Sequence, residues 1–156
     1  MSNYTDEIFI GIDTGVNTGI ALWNATARAF ELVECVKIHT AMQLVANLAT
    51  EHGGRLEVRV EDARQRKWIK TRGPREDRAR LQGAGSVKRD CTIWEEYLID
   101  LGVNYRMVPP KNNKTKLDAK QFRTWTGWSK QTNEHGRDAA MLVFGIVARH
   151  KNTQKQ

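Results

Sequence analysis

Asp13, Glu61, His135 and Asp138 are the residues whose types and positions suit chemistry on a charged substrate. Asp13 closes the apolar run Ile8-Phe9-Ile10-Gly11-Ile12, and Glu61 closes Val58-Arg59-Val60. Ordinary cores do not set carboxylates beside runs of β-branched residues, because an ionised group loses its hydration there. His135 and Asp138 fall three apart, a spacing that a helix places on one face. If the two strands are neighbours and the helix crosses their ends, the four form a nest of hard oxygen ligands plus one imidazole. Such a nest suits Mg²⁺ or Mn²⁺, and the imidazole favours Mn²⁺ somewhat. Each member also has a plainer role: Asp13 as a turn former, Glu61 and Asp62 as exposed strand-end acids, His135 and Asp138 as first-turn helix residues. Taken jointly and in this order, the functional reading wins.

Charge names the kind of partner. Lys and Arg number 25 against 18 Asp and Glu, a net charge of +7. The excess is concentrated. Arg64, Arg66, Lys67, Lys70, Arg72, Arg75, Arg78 and Arg80 face only Glu76 and Asp77 in one stretch. Lys111, Lys114, Lys116, Lys120 and Arg123 follow Pro109-Pro110 in another. Basic runs are often just solvated surface, but a phosphate needs such flanks to approach clustered carboxylates. The expected partner is therefore a nucleic acid, contacted by Arg64, Arg66, Lys67, Lys70, Arg72, Lys111, Lys114 and Lys120. Trp68 lies among these cations, and stacking of an unpaired base on such a ring is worth ~1–3 kcal/mol. Trp94, Trp125 and Trp128 sit at helix-compatible positions and read as core.

The elements that must hold these groups follow from periodicity. Residues 8–13 read as a buried strand, 13–19 as a turn, 20–23 as a second strand and 30–36 as a third, giving an antiparallel meander. Residues 40–52 carry apolar positions at helical spacing and stop at Gly53-Gly54. Residues 56–60 return to strand, parallel to an earlier one because a helix intervenes. Gly73-Pro74 breaks 63–77 into a loop. A long helix is predicted over 78–101, although Gly83 and Gly85 each cost roughly 1 kcal/mol there unless close packing needs them. A strand over 104–108 and a helix over 116–125 complete an α/β pattern, βββαβαβα, with a mixed five-stranded sheet flanked by helices, and a last helix follows over 135–150. Residues 1–150 form one expected domain, with 151–156 as a polar tail.

At 156 residues, 40% hydrophobic and 28% charged, the chain is long enough to bury a core without staples. No stretch approaches the ~18 apolar residues of a membrane span. The polar, acidic opening Met-Ser-Asn-Tyr-Thr-Asp-Glu is unlike a secretory signal, and Cys35 and Cys91 require no disulfide. A reducing, cytoplasmic setting is the expectation.

The ordered set of motifs resembles a known family. Ile10-Gly11-Ile12-Asp13-Thr14-Gly15 followed by Thr18-Gly19-Ile20-Ala21 is similar to the opening of RuvC-like Holliday-junction resolvases of the ribonuclease H-like superfamily, with Thr14 where that family usually has Pro. Val58-Arg59-Val60-Glu61 resembles the strand carrying its second carboxylate. Leu81-Gln82-Gly83-Ala84-Gly85 resembles its small-residue helix, and His135-Gly136-Arg137-Asp138-Ala139-Ala140 its C-terminal signature. The resemblance implies that Asp13, Glu61, His135 and Asp138 bind two divalent metals. It also implies that Lys116, or Lys114 in a less favoured register, lies near the scissile phosphate. Two metals ~3.5–4 Å apart can activate water and hold the leaving oxygen of a phosphodiester. The implied activity is resolution of four-way DNA junctions by paired nicks, in a bacterial or phage-infected cytoplasm. A two-fold junction suits a homodimer, with helix 78–101 as its expected interface. In this family an aromatic residue follows the second carboxylate shortly; here Arg64 holds that neighbourhood and Trp68 comes later.

Two other functions fit the same nest of residues: a broader branch or flap endonuclease, and a non-catalytic junction-binding module. Ile12-Asp13-Thr14-Gly15 also resembles the aspartic protease turn, but that fold is all-β. Sugar-kinase-like relatives share the opening and need a second domain.

Overall fold

The structure is a computed structural model that describes residues 6–66, 73–110 and 116–149. The elements run β1 (Ile8–Asp13), β2 (Asn17–Asn24), β3 (Ala29–Lys37), α1 (Ile38–His52), β4 (Leu56–Glu61), α2 (Pro74–Leu101), β5 (Asn104–Val108), α3 (Ala119–Thr126) and α4 (Glu134–Met141). The strands form one mixed sheet in the order β3-β2-β1-β4-β5. β1 to β3 are antiparallel, whereas β4 runs parallel to both β1 and β5. This is the expected α/β architecture.

Strand alternation assigns the two faces. Ile8, Ile10 and Ile12 of β1 and Leu56, Val58 and Val60 of β4 share one core with Ala41 and Val45 of α1 and with Trp94 and Leu98 of α2. Trp94 is fully buried, and truncating such a ring to Ala typically costs about 3–5 kcal/mol. The opposite face buries Phe9, Ala21, Trp23, Phe30 and Val33 against Leu117, Phe122, Ala139, Ala140 and Val143. On β4 that second face carries Glu57, Arg59 and Glu61, and on β1 it carries Gly11 and Asp13.

Several boundaries differ from the sequence prediction, each for a local reason. The Thr18 hydroxyl donates to the Gly15 carbonyl at 2.7 Å, which shortens the turn after Asp13 and lets β2 begin at Asn17. Helix α2 begins at Pro74, not at residue 78, because proline at the first helical position loses no hydrogen bond. Helix α3 begins at Ala119, not at 116, since Asp118 and Gln121 form a reciprocal capping box. Helix α4 ends at Met141, well short of residue 150. Gly145 adopts φ +79°, and the chain turns back so that Trp23 Nε1 donates to the Ile146 carbonyl at 2.8 Å.

Two packing expectations also change. Within this chain a Cβ at Gly83 or Gly85 would meet nothing within 4 Å, so no close intrachain packing offsets these glycines. Trp94 is core as expected, but Trp125 is exposed: it flanks the buried Phe122 stripe of a short surface helix. Among the described residues, no helix is long and apolar enough to cross a membrane.

Candidate active site

The parallel pairing of Ile12 with Val60 brings the next residues, Asp13 and Glu61, to the same end of the sheet and the same face. Glycines then bring in the third element. A Cβ at Gly11 would overlap the Ala139 carbonyl, and one at Gly19 the His135 carbonyl. Only residues without side chains at these cross-strand positions let α4 lie directly on β1 and β2. Asn133 caps α4, accepting from the Gly136 N–H at 2.9 Å, and so fixes where the helix starts.

With α4 seated this way, His135 Nδ1 lies 3.0 Å from Asp13 Oδ2. Asp138 Oδ2 lies 3.9 Å from Lys116 Nζ. Asp13, Glu61, His135, Asp138 and Lys116 all line one cleft of about 680 Å³. The structure thus brings together the five residues singled out in the sequence. Glu134, the other acid beside His135, is exposed at the cleft mouth, 3.9 Å from His135 Nε2.

The electrostatics set these carboxylates apart. Burial pushes the Asp13 carboxyl above the usual carboxylate range; the His135 hydrogen bond opposes this and the nearby Asp138 charge adds to it. Burial likewise raises Asp138, with Lys116 opposing and Glu134 adding. Asp62, next to Glu61, behaves differently. Burial would raise it too, but it accepts from the Arg64 side chain at 2.7 and 3.0 Å, the Arg64 N–H and the Gln65 amide, and its acidity increases.

Those contacts also change the role read for Arg64. Its guanidinium is held by Asp62 and by Glu95 at 2.7 Å, which makes it a clip between β4 and α2 more than a free phosphate contact. Arg66 does line the cleft, and Lys120 is exposed on α3. Lys67, Trp68, Lys70, Arg72, Lys111 and Lys114 lie outside the described residues.

Arg80 and Lys88 also line the cleft, with Gly83, Ala84 and Val87 between them. Sequence reasoning placed Arg80 only in a basic run and did not single out Lys88. The signal was present: positions 80, 83, 84, 87 and 88 form one stripe of a helix. Cys91, one turn further on, is buried and ties the strand ends to α2. Its thiol lies 3.5 Å from Thr14 Oγ1 and donates to the Glu61 carbonyl at 3.6 Å.

The donor set suits a hard divalent cation by chemistry: three carboxylates lining one cleft, two of them (Asp13 and Asp138) raised by burial, with an imidazole alongside. Among the described residues, however, no three His, Cys, Asp or Glu side chains converge as a ready-made metal cage. Asp13 instead turns to His135, and Asp138 to Lys116. The nest expected from the sequence is a shared cleft lining and not yet a closed ligand shell.

No protein-family model and no curated protein sequence matches the chain. Among solved structures, the fold is similar to that of T. thermophilus RuvC in complex with Holliday junction substrate. The TM-score is 0.51 and the identity 18%, over 86% of this chain and 89% of that one. At that identity the likeness concerns the fold alone: the mixed five-stranded sheet with its flanking helices is a RuvC-like, ribonuclease H-like fold.

Proposed function

We propose that this protein is a metal-dependent, structure-selective endodeoxyribonuclease that resolves four-way DNA junctions by paired nicks. The observation that carries this reading is the convergence of Asp13, Glu61, His135 and Asp138 from β1, β4 and α4 on one cleft. The same cleft is rimmed by Lys116, Arg66, Arg80 and Lys88. The neighbouring RuvC fold, which holds a Holliday junction in its own complex, supports branched DNA as the substrate. The expected homodimer would present two such clefts to a two-fold junction. Exposed Leu81, Ile93 and Ile99 on α2 are compatible with that pairing.

Asp13, Glu61 and Asp138, with His135, would hold two Mg²⁺ or Mn²⁺ ions. Such ions, when bound, make a water more acidic and stabilise the leaving sugar oxygen. The chain's own groups do the rest. Cations at the rim lower the cost of bringing a phosphodiester to an acidic floor. Lys116, mostly exposed and close to Asp138, can meet a non-bridging phosphate oxygen as charge builds there. In the tautomer protonated at Nδ1, His135 donates to Asp13 at 3.0 Å, which orients the ring and leaves Nε2 on the side of Glu134. That nitrogen has one lone pair, which can either complete a metal's ligand set or take the proton of the attacking water as its oxygen bonds phosphorus and the bond to the leaving oxygen breaks.

The test is incubation with labelled four-way junction, flap and linear duplex in Mg²⁺ or Mn²⁺, beside Asp13→Asn. Paired symmetric nicks in the junction, lost in the variant while binding persists, are the expected result. Equal cleavage of flaps would point to a broader branch nuclease. An absence of metal-dependent cleavage would contradict the enzymatic reading and leave a junction-binding module.

A further inference from the structure

Arg137 sits between His135 and Asp138 in sequence but does not point into the cleft lining. Its guanidinium reaches backwards and sideways. Nε donates to the Leu117 carbonyl at 2.9 Å, and one terminal nitrogen donates to both the Thr132 carbonyl and the Thr132 hydroxyl at 3.0 Å. These acceptors belong to two irregular segments. Leu117 directly follows Lys116, and Thr132 directly precedes Asn133, the cap of α4.

The consequence for Lys116 is specific. Its side chain is 84% exposed, so packing does not fix the ammonium. What fixes its backbone is the next residue: Leu117 is buried by its side chain, and its carbonyl is held by Arg137. A planar guanidinium donates along two directions at once, which a lysine ammonium on a flexible stem does not reproduce. One side chain of α4 therefore couples the segment carrying Lys116 to the helix carrying Asp138 and His135.

Resting on the reading of the cleft as a nuclease site, we infer that Arg137 is a positioning residue that holds Lys116 beside Asp138 at the scissile phosphate. The role needs the fork geometry and not only the positive charge. Arg137→Lys separates the two, since it keeps the charge beside Asp138 and loses the double tether.

Two readouts test this on the full chain. The first needs no activity. Carbodiimide joins amines to carboxylates that already touch, so wild type should yield a Lys116–Asp138 cross-link by mass spectrometry. In Arg137→Lys, with folding checked by circular dichroism, that yield should fall by roughly five-fold or more. An undiminished yield in a folded variant overturns the inference. The second readout is single-turnover junction cleavage. Arg137→Lys should lower the rate about ten-fold, since small misplacements of a reacting group are costly, with junction binding unchanged. It should add nothing in a Lys116→Ala background; additive losses would overturn the route through Lys116. If wild type cleaves no DNA, the nuclease reading fails, and the cross-link still decides whether the tether exists.

Discussion

Where β1 and β4 begin, Glu57 is nearly buried and meets Arg149 at 2.8 Å, Arg59 at 3.0 Å and Arg106 at 3.2 Å. Two of those guanidinium groups also lie over the Phe9 ring, at 5.6 and 5.8 Å. Where the same two strands end, Asp13 meets an imidazole, Asp138 faces an ammonium at 3.9 Å, and burial raises both acids. One end of the sheet thus neutralises its buried acid with the chain's own cations. The other end keeps acids that would gain from a cation supplied from outside. Asp62 sharpens the contrast, because it adjoins Glu61 and is satisfied by Arg64 and Gln65. Burial of a carboxylate alone does not mark a functional site; two acids raised by burial that line one cleft are the stronger sign.

The largest expected effect comes from breaking the cleft end. Asp13→Asn should reduce junction cleavage by on the order of 10³-fold or more, as removal of a central catalytic group does, measured under single-turnover conditions. Gly19→Ala comes next. Its new methyl overlaps the His135 carbonyl and displaces α4, so cleavage should fall about 100-fold. Stability in urea should fall by about 1–3 kcal/mol, the usual cost of overpacking. Glu57→Gln probes the other end. It leaves arginines without their carboxylate, and because two of them are more than half exposed the loss should be only about 1–2 kcal/mol. Cleavage should stay within about two-fold, as no transition-state contact is touched.

The smallest effect is the pH dependence of folding. Asp13 and Asp138 bind protons more tightly in the folded chain than in the unfolded one. Their contribution to stability is therefore full below the ordinary carboxylate range and is lost as pH rises through their raised values. Asp62 has the opposite sign: its contribution is present above the ordinary range and is lost as pH falls through its lowered value. Asp13→Asn should thus raise the melting temperature at pH 7 and flatten the fall between weakly acid and neutral pH. Thermal unfolding without divalent ions measures both.

Much of this arrangement was legible in the chain. The β-branched runs ending in Asp13 and Glu61 are strands because nothing competes with their alternation, and the intervening helix makes them parallel. The seating of α4 was legible only in part. In the sequence Gly11 and Gly19 look like motif and turn residues, whereas they admit a helix backbone, which depends on which strands pair. Residues 142–148 keep a helical apolar period, which predicts that the last helix continues through them. They are apolar because they fold back on Trp23 and Phe30. Arg64 looked like a phosphate contact because its partner, Glu95, is 31 residues away. The Asp118–Gln121 capping box that starts α3 was present in the sequence but was overridden by the helical pattern from Lys116.

The most direct measurement is Mn²⁺ binding by electron paramagnetic resonance for wild type, Asp13→Asn and Glu57→Gln. Wild type should bind two ions per chain saturably. Affinity should fall at least about ten-fold in Asp13→Asn, in line with the loss of a metal ligand's support, and stay unchanged in Glu57→Gln. Equal binding by wild type and Asp13→Asn, or a loss confined to Glu57→Gln, would contradict a metal site in the cleft.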